Sequence, residues 1–222
     1  QIEAVDREPP VAGALVHRPE VRWHAVDLTE SAAVTRLFAD LRESGGATAL
    51  IHLAAHYDFT GERHPDYQRT NIDGTRCLLD ACAGLGLERF VFASSLAACD
   101  FPRPGRMLVE SSPPDGTHVY AESKRAGEEL MRRESRFPTA IVRFAALYSD
   151  WCEYAPLYSM LRTWLARSWN SRILGGRGRS AVPYLHVRDA GAFLERLLDL
   201  RRELEPAEVL IASSNRVTSH AD

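Results

Sequence analysis

Phe90-Val91-Phe92-Ala93-Ser94-Ser95 is the stretch on which the fold turns. Four apolar residues in a row suit a strand buried on both faces, and two hydroxyls follow at its carboxyl end. Upstream, Ala49 to Ala54 is a second run of this kind; downstream, Ala140 to Phe144 is a third. Ile2 to Val5 and Val21 to Val26 read as shorter strands. Helical patterns lie between the runs. Thr29 caps a helix over Glu30 to Arg42, whose Val34, Leu37, Phe38 and Leu41 make one apolar face. A second helix is expected from about Pro65 to Leu85, punctuated by Gly84 and Gly86. After a Pro/Gly-rich loop from Ala97 to Thr117, a charged amphipathic helix spans Val119 to Arg136. Helical pattern returns at Leu157–Ala166 and Val187–Leu204, with short strands at Tyr184–Val187 and Val209–Ala212. Strands alternating with helices at this rhythm predict βαβ units and a parallel sheet.

The totals remove several function classes. The 222 residues suffice for one good core and the start of a second lobe. A formal charge of −3 gives no general pull toward nucleic acid or an anionic membrane. Arg132-Arg133 and Arg177/Arg179 read as solvated faces. No apolar run is long enough to span a bilayer, so a cytoplasmic protein acting on a small molecule is expected. Cys77, Cys82, Cys99 and Cys152 form no C-x-x-C pair and have no His cluster at zinc spacing. They read as small buried hydrophobes in a reducing compartment, and no metal is expected.

In open parallel sheets, ligands sit beyond the carboxyl ends of the strands. Four motifs fall there: Asp6, Asp27-Leu28, His52-Leu53-Ala54-Ala55 and Ser94-Ser95. Beyond them, Tyr120-Ala121-Glu122-Ser123-Lys124 puts a phenol and an ammonium one helical turn apart on the same face. A nearby cation favours the phenolate and lowers the tyrosine pKa, so the pair reads as a proton relay at a carbonyl. A strand-end serine hydroxyl can hydrogen-bond the same oxygen. A surface pair with no role and simple strand-end caps are the plainer alternatives.

The cofactor readings also carry alternatives. Ala54 and Ala55, with Leu53, admit a flat ring or a diphosphate close to the backbone; the alternative is helix–sheet packing. Asn71 and Gly74 in Asn71-Ile72-Asp73-Gly74-Thr75 are costly inside a helix. Asn71 is read equally as a cofactor contact and as a structural bond to the neighbouring strand. Asp6 suits an adenosine ribose and favours NAD, whereas Arg7 beside it suits the 2′-phosphate of NADP. Asp27-Leu28 suits adenine, or a turn preceding a helix. His186 reads as structural. The run Trp151, Tyr154, Tyr158, Trp164 and Trp169 reads as amphipathic packing ahead of a substrate-lobe lining.

Taken in order, these pieces resemble the extended short-chain dehydrogenase/reductase family, the NAD-dependent epimerase/dehydratase group. The matching text is Val5-Asp6-Arg7, Asp27-Leu28, Ile51-His52-Leu53-Ala54-Ala55, Asn71-x-x-Gly74-Thr75, Arg89 through Ser95, Tyr120-x-x-x-Lys124, Arg143-Phe144-x-x-x-Tyr148 and His186-Val187-x-Asp189. The resemblance implies an α/β, Rossmann-like doubly wound parallel sheet with a small partial C-terminal substrate lobe. It divides the chain into a dinucleotide-binding domain over 1–150 and a partial lobe over 151–222, interleaved with the last sheet elements. It implies Tyr120 as general acid/base, Lys124 on the nicotinamide ribose and Ser95 at the family's Ser/Thr position. Asp6, Arg7, Asp27, Leu28, Leu53, Ala54, Ala55, Asn71, Ala93 and Ser94 match positions around the dinucleotide. His56, Arg179 and Tyr184 match the substrate side. A homodimer through the helices bearing Asn71 and Tyr120 is implied as well.

The departures shape the expectation. No G-x-x-G-x-x-G occurs in the sequence. The chain is therefore expected to be a fragment that opens inside the family's second strand, without the first strand or the phosphate-binding turn, and that lacks part of the substrate lobe. Val182 stands where many nucleotide-sugar members carry an arginine, and Ala98-Cys99-Asp100 replaces their Val-Tyr-Gly. Three functions compete: a nucleotide-sugar epimerase or dehydratase, a reductase or dehydrogenase of a less polar carbonyl, alcohol or thioester, and a non-catalytic member of the family.

Overall fold

A computed structural model describes residues 1–11, 18–102, 106–166, 169, 181–214 and 217. The strands are β1 (Ile2–Asp6), β2 (Val21–Ala25), β3 (Ala49–His52), β4 (Arg89–Ser95), β5 (Thr139–Phe144), β6 (Ala146–Tyr148), β7 (Tyr184–His186) and β8 (Ala207–Ala212). The helices are α1 (Ser31–Glu43), α2 (Pro65–Gln68), α3 (Thr75–Ala81), α4 (Val119–Glu134), α5 (Ala155–Leu165) and α6 (Val187–Asp199), with a π-helical turn at Arg69–Gly74 between α2 and α3. β3-β4-β5-β8 form a four-stranded sheet, and β1-β2 and β6-β7 form two-stranded ones. Every pairing is parallel. The expected α/β fold is what the chain adopts.

β4 explains the sheet. Phe90 and Phe92 pack into a core with Val34, Leu37 and Phe38 of α1, Leu78 and Leu79 of α3, and Leu130 and Met131 of α4. Val91 and Ala93, one residue out of step, pack into a second core with Val142 and Phe144 of β5 and Ala190 and Leu197 of α6. Alternate residues of a strand face opposite sides, so helices on both faces demand an unbroken apolar run. Arg89, 2% exposed, ends the run at the other edge. Its guanidinium donates to the carbonyls of Thr139, Arg201, Leu204 and Glu205, tying the α6–β8 connection to the sheet.

Several expectations need correction. Ala49, Leu50 and Ile51 are half-buried rather than buried on both faces, because among the described residues β3 pairs with β4 alone. The long helix over 65–85 is broken by the π-helical turn and ends at Ala81. There Thr75 Oγ1 donates to the Asn71 carbonyl at 2.7 Å, and a Cβ on Gly74 would stand 3.3 Å from Leu28 Cβ. Glu30, not Thr29, is the N-cap of α1. The Asp27 carboxylate accepts from the Thr29 N–H instead. α5 contributes no buried residue, and Trp151 and Trp169 are 84% and 79% exposed, so the aromatic run is not core packing.

Candidate active site

Tyr120 and Lys124 lie in the first two turns of α4, which starts behind His118 as N-cap. The helix comes close to β4 because Gly127 has no side chain: a Cβ there would stand 2.3 Å from Phe92 Cζ. That approach brings Lys124 Nζ to 2.7 Å from the Ala93 carbonyl, to which it donates. The ammonium lies 5.7 Å from the centroid of the Tyr120 ring. The Ser95 hydroxyl lies close enough to the Tyr120 phenol to lower its pKa, and Ser95 Oγ accepts from the Ala97 N–H at 3.1 Å. The structure thus brings Ser95, Tyr120 and Lys124 together at the carboxyl end of β4.

The electrostatics correct one expectation. Lys124 is not what sets the phenol: burial pushes the Tyr120 pKa up to about 12, and the Ser95 hydroxyl nearby opposes this. Burial also draws Lys124 down to about 8. Its Nζ donates to the Ala93 carbonyl. The phenol is therefore neutral at ordinary pH and set to donate a proton. His52, at the end of β3, is held neutral by burial at about 3 and contacts Thr75 Oγ1 at 2.9 Å.

Ser94 and Ser95 separate by strand alternation. Ser94 Oγ donates to Glu128 Oε1 at 2.6 Å, behind the site. Glu128 is fully buried and also accepts from Arg143 Nε at 2.9 Å, Arg143 Nη2 at 2.8 Å and Arg132 Nη2 at 2.8 Å. Arg143 reaches on to the Ser112 carbonyl at 2.7 Å, anchoring the loop before α4. Asn71 makes structural bonds, to the loop after β3 and to α4 rather than to a strand. It accepts from the His56 N–H at 2.6 Å and donates to the His56 carbonyl and to Ser123 Oγ, each at 3.0 Å. It thereby ties the loop after β3 to α4.

The remaining positions lie along strand ends. Asp6 is exposed at the end of β1 and accepts from the Glu8 N–H; Arg7 pairs with Glu8 at 3.8 Å. Asp27 is held below its ordinary value by its bonds from Thr29. Leu28 packs on the α1–α3 core. Leu53 is 59% exposed; Ala54 is exposed and Ala55 half-buried. Tyr184 joins an aromatic series with Tyr148 and Tyr154. His186 caps α6 through Nδ1, as its structural reading expects. Arg179 falls outside the described residues.

Two neighbours escaped the sequence reading. Tyr57 lies against Tyr120 with ring centroids 4.4 Å apart. Its signal was an aromatic residue two places past the small Ala55. Glu128 stands one turn beyond Lys124 on the same face of α4, and that i+4 spacing was its signal.

The profile of the NAD dependent epimerase/dehydratase family matches residues 3–212. The 3 beta-hydroxysteroid dehydrogenase/Delta 5-->4-isomerase of Monkeypox virus is 31% identical over 121 residues, 50% of this chain and 34% of that protein. UDP-glucose 4-epimerase uge1 of Schizosaccharomyces pombe is 31% identical over 142 residues, 61% of this chain and 37% of that protein. The matches thus span about a third of the length of these relatives. The UDP-glucose 4-epimerase of Thermus thermophilus, solved in complex with NAD, superposes with a TM-score of 0.73 at 20% identity, covering 99% of this chain and 72% of its own; it shows the shared fold. Profile, fold and the ordered strand-end motifs agree: the chain belongs to the NAD dependent epimerase/dehydratase family.

Proposed function

We propose that this chain carries the proton-transfer centre of an NAD-dependent epimerase or dehydratase whose substrate is a nucleotide-sugar-like alcohol. The observation that carries the reading is the convergence of Ser95, Tyr120 and a buried Lys124 at the carboxyl end of β4. Ser95 Oγ already accepts from a backbone N–H, so its proton is free to donate to a substrate oxygen. Tyr120, neutral through burial, gives its proton to that same oxygen when a carbonyl is reduced to the alcohol, and as phenolate takes the alcohol proton when the alcohol is oxidised. Lys124 is placed to hold a ribose hydroxyl once it leaves the Ala93 carbonyl.

Residues at the strand ends fit the cofactor. Asp6 is exposed for the adenosine ribose, and Asp27 and Leu28 flank adenine. Leu53, Ala54, Ala55 and Ala93 offer small or flat apolar surface to the nicotinamide end. When bound, NAD supplies a hydride acceptor and donor. NAD is favoured over NADP because Asp6 ends β1 exposed, where a carboxylate suits a free ribose hydroxyl and repels a 2′-phosphate. His56 and Tyr184 stand on the substrate side, with Arg179 proposed beside them. The proposal extends to the two-domain division at residue 150 and to a homodimer through the helical segment bearing Asn71 and α4, which bears Tyr120. No helix of the described residues is long and apolar enough to cross a membrane.

One observation favours a second reading, a reductase or dehydrogenase of a less polar alcohol or carbonyl. Aromatic rings run outward from Tyr120 through Tyr57, Phe59, Tyr154 and Tyr184, with centroids 4.4 to 6.2 Å apart. Such a wall suits an apolar ring as well as a sugar face. Mass spectrometry of nucleotide released from the intact protein should find NAD. Turnover of UDP-, GDP- or dTDP-sugars is expected, and steady NADH or NADPH consumption with ketones instead would transfer the assignment to the second reading. Tyr120→Phe should retain cofactor and lose about 10²- to 10⁴-fold in rate; near-normal turnover sinks the catalytic assignment.

A further inference from the structure

The loop that leaves β3 beside Tyr120 folds back on itself and gathers ligating side chains. His56, His64 and Asp66 each offer one ligand atom, and these atoms lie within 4.8 Å of one another. The His56 and His64 rings stack, with centroids 4.9 Å apart and planes 27° from parallel. His56 is held from behind, its backbone N–H and carbonyl both bonded to the buried Asn71 amide. Its Nε2 is buried and has no hydrogen-bond partner. Asp58 Oδ2 stands 3.5 Å from it. His64 Nδ1 stands 3.5 Å from Asp66 Oδ2.

A buried ring nitrogen without a partner is uncommon and calls for an explanation. A cation between the two imidazoles and the carboxylates supplies one. We propose that His56, His64 and Asp66, with Asp58 as fourth ligand, bind a divalent transition-metal ion of the zinc type. The donor set chooses the metal. Two imidazole nitrogens with carboxylate oxygens suit zinc, cobalt or nickel. Calcium and magnesium prefer oxygen alone. The spacing is close to what is needed, since tetrahedral ligands about 2.1 Å from a metal lie roughly 3.4 Å apart. His56 and Asp58 already match this. The exposed His64 and the half-exposed Asp66 are free to close the rest by changing rotamer.

Three interactions oppose the ion. The stacked His56 and His64 rings hold their in-plane lone pairs nearly parallel, so His64 must turn out of the stack to ligate. Arg69 lies 3.7 Å from Asp66 Oδ1. His64 Nδ1 accepts from the Asp66 N–H at 3.2 Å, and ligation through either ring nitrogen gives up that bond. Filling the site would clamp the segment from His56 to Asp66. That segment carries Tyr57, whose ring lies on Tyr120. The ion would therefore stiffen one wall of the proposed active site without touching the reacting atoms.

The test uses the intact protein, stripped with a chelator and titrated with zinc chloride alone by calorimetry and with cobalt(II) chloride by visible absorption. One equivalent is expected to bind with a micromolar or tighter Kd, with cobalt bands of a four- or five-coordinate site. His64→Ala and Asp66→Asn, at surface positions that should leave the fold intact by circular dichroism, should each weaken binding at least tenfold. His56→Ala should abolish it. Binding must persist in Cys77→Ser and Cys152→Ser, because those half-buried thiols are the rival soft ligands. Absence of saturable binding, or binding unchanged in both His64→Ala and Asp66→Asn, overturns the proposal.

Discussion

The β4–β5 and β1–β2 pairings share one geometry and sit in opposite surroundings. Both are parallel and in register over five or six residues. Every residue of β5 is buried, as is all of β4 but the last, while no residue of β1 or β2 is fully buried. Helices cover both faces of the first pair; the second keeps Ile2 and Val5 in solvent. Proton transfer needs groups fixed to within a fraction of an ångström; the candidate serine ends β4 of the over-determined pair, and the acid and lysine stand on α4, which packs directly against that strand. The proposed ribose and adenine contacts stand on the looser one. A ribose carboxylate has only to be near and charged, so its support can be softer.

Removing one carboxylate from each region tests that difference most directly. Glu128 is wholly buried and neutralises Arg143, itself 1% exposed. Glu128→Ala would strand that guanidinium in the core and should cost about 3–5 kcal/mol, read from urea unfolding. Burial raises the Glu128 pKa, but the bonds from Arg143, Ser94 and Arg132 outweigh it, and the group lies below its ordinary value. Its contribution is thus present above the unfolded carboxylate value and lost as pH falls through the folded one. The wild-type advantage over Glu128→Ala should shrink in acid. A loss under about 1 kcal/mol would mean that this core is less tightly determined than its contacts imply.

Two helix glycines give the next largest effect. At Gly127 an added Cβ meets Phe92 at 2.3 Å, whereas at Gly191 in α6 it meets nothing within 4 Å. Gly127→Ala should cost roughly 1–3 kcal/mol by forcing α4 off β4. Gly191→Ala should be neutral or stabilise by up to about 1 kcal/mol, through helix propensity alone. Thermal melts of the pair decide the matter, and equal effects would remove the argument for close helix–strand contact under the site.

Lys124 gives a pH signature. Its folded pKa is about 8, against 10.5 for the unperturbed group. Between those values the unfolded chain holds a proton that the folded chain has shed, so stability rises with pH. Tyr120 acts in the other direction, but only from its ordinary value of 10.0 toward about 12, where the folded phenol keeps its proton longer. From pH 8 to 10 the wild type should therefore gain on Lys124→Met by on the order of 1 kcal/mol per pH unit. A flat difference in denaturation midpoints would show that Lys124 keeps its charge in the folded site.

The same contrast explains what could be read without coordinates. Phe90 to Ala93 announced a doubly covered strand because both faces impose the same apolar demand. Tyr120 and Lys124 were legible because helical spacing is fixed by the backbone. The phenol's electrostatics were not, since they depend on burial, and the ammonium donates to the Ala93 carbonyl. The division of labour between the two serines became physical only when Glu128 took the Ser94 hydroxyl. The π-helical turn was hidden because Asn71 and Thr75 satisfy it through tertiary bonds to His56, Ser123 and His52, which local propensity does not contain. Tyr57 was missed because loop residues have no period to betray their direction.

The smallest effect belongs to the outer ribbon. Glu3 on β1 faces His24 on β2 at 2.7 Å and Arg22 at 3.4 Å, with about a quarter of its side chain in water. The geometry is as short as any pairing behind Glu128, so distance alone would rank the two sites together. Solvent access separates them. When Glu3 is replaced, water can reach the partners that lose it, and Arg22 is already mostly exposed. Glu3→Gln should thus cost no more than about 1 kcal/mol and should fade further in high salt, because exposed pairs are screened where buried ones are not. Chemical denaturation at low and high sodium chloride measures both. If Glu3→Gln matched Glu128→Ala in size, or ignored salt, the ribbon would have to be as rigid as the sheet, and the softer reading of the proposed ribose and adenine contacts would have to be given up.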